Sequence, residues 1–244
     1  SKKGPEPTAE EIGNYMVSKL DEVTEFNIIK GFLNLSIADK YWNNFFNTNS
    51  KNSKFGSHVK TEKAPVVVEY SSPNTNKPLH LGHIRNNLLG WSVSEILSNA
   101  GQEVKKVNLV NDRGIHICKS MLAWKKWGNE STPDSTDTKG DKLVGNYYVL
   151  FDQKNKEQIA ELIESGTDKD IASKSTPLML EAKDMLLNWE KGDEDIRSLW
   201  TNMNNWVYAG FEHTYNRMGI DFDKTYYESD TYLLGKKLVD EGLK

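Results

Sequence analysis

One cysteine, Cys118, stands in 244 residues, so no internal disulfide forms and no thiolate cluster can hold zinc or iron. Long apolar runs are missing too. None approaches the roughly 20 residues a helix needs to cross a bilayer, which excludes such a span. Residues Ser1 to Pro5 carry lysines but no apolar stretch behind them, so no secretory signal is read there and a cytoplasmic address follows. Positive charge is not in excess either. With 31 Lys and Arg against 35 Asp and Glu, the net charge is -4, which argues against a protein that coats nucleic acid indiscriminately. One specific RNA partner stays open.

What is present fits a globular chain of one large or two modest domains: 37% hydrophobic residues, 27% charged residues and seven tryptophans. Thr8 and Glu11 have capping-box spacing, and Ile12, Tyr15, Met16 and Leu20 follow on one face, which predicts a helix ending near Val23. Phe26 to Ile29 and Phe32 to Ile37, split by Lys30-Gly31, predict a strand pair or bulged hairpin. Trp42, Phe45 and Phe46 predict a helix packed on it. Residues 48–63 then turn to Asn, Ser, Lys and Gly, which is linker composition. Lys51, Lys54, Lys60 and Lys63 concentrate positive charge there against Glu62, as a solvated linker does.

Val66-Val67-Val68 after Pro65 predicts a buried strand. A polar loop follows, then a helix from about Gly82 to Ala100 with Ile84, Leu88, Val93, Ile96 and Leu97 on a buried face. Val104 to Val110 is the next strand, which makes a βαβ unit and the start of a parallel sheet. A helix is expected over Gly114 to Trp127 and an exposed loop over Asn129 to Asp141. Three helical stretches without an intervening strand follow, at Tyr147 to Ile163, Ile171 to Trp189 and Asp193 to Met218. Ile220 to Tyr227 reads as a returning strand and Tyr232 to Val239 as a last helix.

The loop after the first of these strands carries the chemistry. His80-Leu81-Gly82-His83 places two imidazoles three residues apart at a helix N-terminus, where free backbone N–H groups and the helix dipole attract phosphate. The imidazoles add donors that can follow charge building on a transferring phosphoryl group. Gly82 lets a flat ring approach the backbone, and Lys77 can reach the same phosphates as a point charge. A histidine pair at this spacing also suits a metal or a simple helix cap, but no third His and no acidic cluster flank it.

The string Ser71-Ser72-Pro73-Asn74-Thr75-Asn76-Lys77-Pro78-Leu79-His80-Leu81-Gly82-His83 resembles the signature region of class I aminoacyl-tRNA synthetases, in the form found in arginyl-tRNA synthetases. Gly31-Phe32-Leu33-Asn34-Leu35 is similar to a segment of that family's extra N-terminal domain, which contacts the tRNA elbow. Asn111-Asp112-Arg113-Gly114 is similar to its motif after the second strand, and Tyr215 to Asp223 leading to Glu228-Ser229 to its segment after the helical insertion. The resemblance implies an α/β fold: residues 1–48 as part of a small α+β tRNA-contacting domain, 49–64 as linker, and 65–244 as the first half of a Rossmann-like parallel-sheet catalytic domain with a helical insertion over about 143–218.

It implies ATP at Lys77, His80, Gly82 and His83, with the two histidines and Lys77 catalytic. The substrate arginine falls to Ser72, Pro73, Asn74 and His83, and its guanidinium to Glu228, which read alone is an ordinary surface acid. ATP would arrive with Mg2+, and no protein-bound metal site is expected. L-arginine and tRNA(Arg) would be the partners of a monomeric arginine–tRNA ligase. Where the common pattern has Trp and Gln, this chain has Arg113 and His116. The family's lysine-rich second signature, the Tyr and Asp of its arginine pocket and its anticodon domain have no counterpart before Lys244, and the chain is read as starting inside the N-terminal domain. The alternatives are another class I synthetase or adenylyl-transferring ligase and, for the isolated chain, a tRNA- or ATP-binding module without turnover.

Overall fold

The computed structural model describes residues 3–243, the side chains of Lys236 and Lys237 apart; Ser1, Lys2 and Lys244 lie outside the described residues. The chain divides into two compact units, Ser1–His58 and Val59–Lys244.

In the first unit, helix α1 (Pro5–Lys19) is followed by strands β1 (Val23–Ile29) and β2 (Phe32–Ile37) and helix α2 (Asp39–Asn49). The strands pair antiparallel, with Ile29 opposite Phe32. Lys30 and Gly31 between them both have positive φ, 51° and 82°, the twist a two-residue hairpin loop requires. The capping box expected at Thr8 does not form. Pro5 opens the helix a turn earlier, its ring preset for the first helical position, and the Thr8 hydroxyl donates back to the Gly4 carbonyl at 2.9 Å. The buried face of α1 is Ala9 and Gly13, with Gly13 under the Phe26 ring; Ile12 and Tyr15 are exposed. Helix α2 buries none of its residues, so the expected packing of Trp42, Phe45 and Phe46 on the hairpin is not found. Trp42 packs edge-on against Phe45 and Phe45 against Phe55 instead, while Phe46 is exposed.

The second unit contains strands β3 (Val66–Glu69), β4 (Val104–Val110) and β5 (Lys224–Tyr227), side by side in that order and all parallel. Helix α3 (Leu81–Asn99) joins β3 to β4. Between β4 and β5 come α4 (Ile115–Trp127), the single turn α5 (Pro133–Thr136), α6 (Gly140–Glu164), α7 (Lys169–Ser175), α8 (Pro177–Lys191) and α9 (Glu194–Met218); α10 (Glu228–Gly242) follows β5. The expected single helix over 171–189 is two, because Thr176 caps Met179 at 3.1 Å and Pro177 sits at the first helical position. The loop expected over 129–141 is not exposed throughout. Gly140 and Asp141 are buried at the start of α6, where Lys139 neutralises Asp141 at 3.0 Å.

The core lies mainly in these helices. Met203, Val207, Phe211 and Tyr215, one per turn of α9, meet Met121, Val144, Phe151 and Met185. The sheet is covered on one side only. Strand β3 is not fully buried as expected: Val67 is 64% exposed, and Leu109 and Tyr226 on the same sheet face are exposed with it. Helix α3 departs from its apolar periodicity in the same way. Its buried residues are Asn87 and Ser94, while Leu88, Val93 and Ile96 face outward. The cause is close approach: Gly90 lies directly against Tyr70, where a Cβ would sit 2.4 Å from the Tyr70 Cβ.

Candidate active site

The residues singled out in the sequence emerge from the carboxyl ends of adjacent parallel strands. The loop 70–80 leaves β3, residues 111–114 leave β4, and Glu228 leaves β5. In an open parallel sheet this end is where ligands bind, since strand ends and helix starts leave backbone groups unpaired there.

The first loop is held in shape by bonds the sequence does not announce. Ser71 and Ser72 both have positive φ, 70° and 43°, a conformation non-glycine residues keep only when their surroundings enforce it. Asn86 accepts from the Ser71 N–H at 2.6 Å and Asn108 from the Ser72 N–H at 3.0 Å. The Ser71 hydroxyl meets the Tyr215 hydroxyl at 2.7 Å, and the Tyr70 hydroxyl donates to the Asp221 carbonyl at 2.5 Å. Thus the segment Tyr215 to Asp223 braces the loop from behind. The Ser72 hydroxyl donates to Glu69 at 2.8 Å. Pro73 is buried, and its carbonyl accepts from the Asn111 N–H at 2.9 Å. Asn74 bridges to Asn111. Ahead of the histidines, Pro78 lies against Gly145 of α6, where a Cβ would come within 2.6 Å of it; that contact fixes the stretch bearing Lys77.

His80 and His83 cap α3 reciprocally. The Gly82 N–H donates to His80 Nδ1 at 3.1 Å and the His80 N–H to His83 Nδ1 at 3.2 Å. Both Nδ1 atoms accept, so in the neutral rings each proton sits on Nε2, leaving two N–H donors beside the free N–H groups of the helix end. The ring centres are 4.1 Å apart. Burial first, then the charges of His80 and Lys77, hold His83 below the usual imidazole range. Burial, Lys119 and Lys77 do the same to His116, whose Nδ1 lies 3.0 Å from the Tyr148 hydroxyl. The charge of Lys77 thus acts on both imidazoles, and the surroundings favour an anion. Cys118, beside this site on α4, is buried, with its thiol pushed up to about 12 by burial; it is packing, not a nucleophile.

Glu228 is the first residue of α10. It is not bonded to the first loop but linked to it through the segment 111–113. Asp112, fully buried, accepts from the Ser229 N–H at 2.9 Å and from the hydroxyls of Ser229 and Tyr208 at 2.6 and 2.9 Å. Arg113 reaches Glu228 at 3.8 Å. Asn74, Asn111, Arg113 and His116 also line one small recess. Sequence reasoning named the motif Asn111 to Gly114 but not the role of Asp112, because its partners lie 96 and 117 residues away. Among the described residues no three of His, Cys, Asp or Glu are grouped to hold a metal ion, and no helix is long and apolar enough to cross a membrane.

A histidine-capped helix N-terminus thus stands at the carboxyl end of a parallel sheet, with helices inserted between β4 and β5. The family model described as tRNA synthetases class I (R), catalytic domain, matches residues 47–238, and the chain belongs to that family. Proteins named arginine–tRNA ligase from Bacteroides thetaiotaomicron and Parabacteroides distasonis are 58% and 57% identical to it over 245 residues, which is 100% of this chain and 41% of each of those proteins. The chain thus spans about two-fifths of the length of the curated relatives it matches. Among solved structures, the Thermus thermophilus arginyl-tRNA synthetase aligns with 98% of this chain and 35% of its own, at a TM-score of 0.55 and 21% identity. The Plasmodium falciparum enzyme aligns with 94% and 38%, at 0.51 and 18%. These two likenesses bear on the fold alone.

Proposed function

We propose that the protein carrying this chain is an arginine–tRNA ligase, which activates L-arginine with ATP and transfers it to tRNA(Arg). The observation that supports this reading most directly is the placing of the histidine-capped helix end, the Ser72 to Asn74 loop and Glu228 along the carboxyl end of one parallel sheet. ATP, brought as its Mg2+ complex, lays its adenine near Gly82 and its phosphates toward Lys77, His80 and His83. An oxygen of the arginine carboxylate attacks the α-phosphorus as the bond to the pyrophosphate oxygen breaks. The two Nε2–H donors and the Lys77 ammonium stabilise the charge that builds on the phosphoryl oxygens. A ribose hydroxyl at the tRNA end then attacks the adenylate carbonyl and AMP leaves.

Ser72, Pro73 and Asn74, with His83, bound the amino-acid end of the substrate, and Glu228 pairs with its guanidinium, for which a carboxylate offers two parallel hydrogen bonds. Residues 1–48 serve as the tRNA-contacting domain and 49–64 as the linker, near the division between the two compact units. We place the protein in the cytoplasm as a monomer. The 244-residue chain by itself binds without turnover.

The test is amino-acid-dependent ATP–pyrophosphate exchange by the complete gene product with cognate tRNA present, run with each amino acid in turn. Arginine alone is expected to support exchange. Efficient exchange with any other amino acid, or none with arginine, overturns the assignment.

A further inference from the structure

We infer that Arg113 is a positioning residue that holds the Glu228 carboxylate ready for a substrate guanidinium, and that the helical insertion sets this hold through Glu190. The inference rests on the proposed activation of arginine and assigns a role to a residue outside the family's common pattern.

Among the described residues Glu228 has no hydrogen-bond or ion-pair partner on α10. It sits at the free end of a helix with no side-chain cap, and its side chain is 35% exposed. Two neighbouring residues restrain it from outside. Asp112 is locked to α9, since its carbonyl accepts from Trp200 Nε1 at 2.7 Å and from the Asn204 amide at 3.3 Å. Its carboxylate takes both the N–H and the hydroxyl of Ser229, which fixes the backbone next to Glu228. Arg113 then acts on the side chain. Its guanidinium lies 3.9 Å from the centre of the Tyr232 ring, one turn along α10, and 5.6 Å from that of Trp189. One nitrogen donates to Glu190 of α8 at 2.6 Å; another stands 3.8 Å from Glu228, inside ion-pair range but beyond a hydrogen bond.

That difference in distance decides the role. A guanidinium bonded tightly to Glu228 would occupy the edge a substrate needs. At 3.8 Å, with its stronger bond drawn toward Glu190, Arg113 orients the carboxylate electrostatically and leaves its acceptor sites open, of which a carboxylate has about four. The planar fork suits Arg and not Lys: one plane stacks on Tyr232 while its edge serves two carboxylates. Restraining the rotamer before the substrate arrives removes part of the ordering cost of binding, so releasing the carboxylate weakens arginine binding by about three- to tenfold.

The experiment uses the complete gene product with tRNA and compares Arg113→Met, Arg113→Lys and Glu190→Gln in arginine- and ATP-dependent exchange. Arg113→Met is expected to raise KM for arginine by about three- to tenfold, leaving KM for ATP and kcat nearly unchanged. Arg113→Lys should recover part of the loss, and Glu190→Gln should raise KM for arginine by a smaller factor. The inference is overturned if the wild type activates arginine while Arg113→Met leaves its KM unchanged, or if both KM values rise together, as in a general loss of structure. Should Arg113→Met fail to fold, Arg113→Lys and Glu190→Gln decide, and an unchanged KM for arginine in both overturns it. A wild type that does not activate arginine instead refutes the proposed function, before any variant is compared.

Discussion

Replacing Gly90 with alanine sets two known effects against each other. Helix propensity favours Ala over Gly in a helix interior by about 1 kcal/mol, so sequence reasoning alone expects α3 to be stabilised. The structure reverses the sign. The new Cβ would lie 2.4 Å from both Cβ and Cγ of Tyr70, and Tyr70 is only 2% exposed. The crowded atoms are the root of a buried ring and not its flexible tip, so either the helix or the end of β3 must move. Overpacking of this kind costs about 1–3 kcal/mol, and taking the upper end against the propensity gain leaves a net loss of about 2 kcal/mol. For a chain of this size that lowers Tm by roughly 4–8 °C. Gly235 in α10 has nothing among the described residues within 4 Å of its Cβ position, so the same substitution there should raise Tm. Thermal unfolding of the 244-residue chain, followed by circular dichroism, compares the two. A rise in Tm for Gly90→Ala would refute the close-approach argument, and with it the reason given for the outward apolar face of α3.

Two further predictions concern the histidines. His83→Ala in the complete gene product should slow adenylate formation in single-turnover assays by about 10²–10³-fold, the usual loss for one donor aimed at developing charge, with tRNA affinity nearly unchanged; a near-normal rate removes His83 from the mechanism. In NMR titrations His83 and His116 should both have midpoints below the ordinary 6.5, and Lys77→Met should raise both, though not fully, since burial is the larger cause. Because the unfolded chain takes up these protons first, stability should fall as pH drops below about 6.5. No movement of either midpoint in Lys77→Met would mean that the Lys77 charge does not act on these rings.

Local order was legible in the sequence wherever short-range physics governs it. The β-branched run before the loop, the hairpin at Lys30-Gly31, the histidines at a helix start and the four-residue spacing of Met203, Val207, Phe211 and Tyr215 each depend on neighbours within a turn or two. The string Ser71 to His83, with Gly31 to Leu35, Asn111 to Gly114 and Tyr215 to Asp223, also sufficed to suggest the family. What they could not indicate was which apolar faces would be covered. Periodicity in α3 pointed Leu88, Val93 and Ile96 inward, whereas the fit of Gly90 on Tyr70 turns them out.

The candidate site divides in the same way. The sequence alone determined that His80, Gly82 and His83 share a helix end, because backbone N–H groups left open by helix geometry are a local property. Only the tertiary structure decided that Asp112 grips Ser229 and that Arg113 faces Glu228, since these contacts close over more than a hundred residues through the parallel pairing of β4 and β5. Strand pairing and side-chain reach across such a separation leave no periodic trace in the chain, so a carboxylate that reads as an ordinary surface acid comes to face Arg113 only once the sheet is assembled.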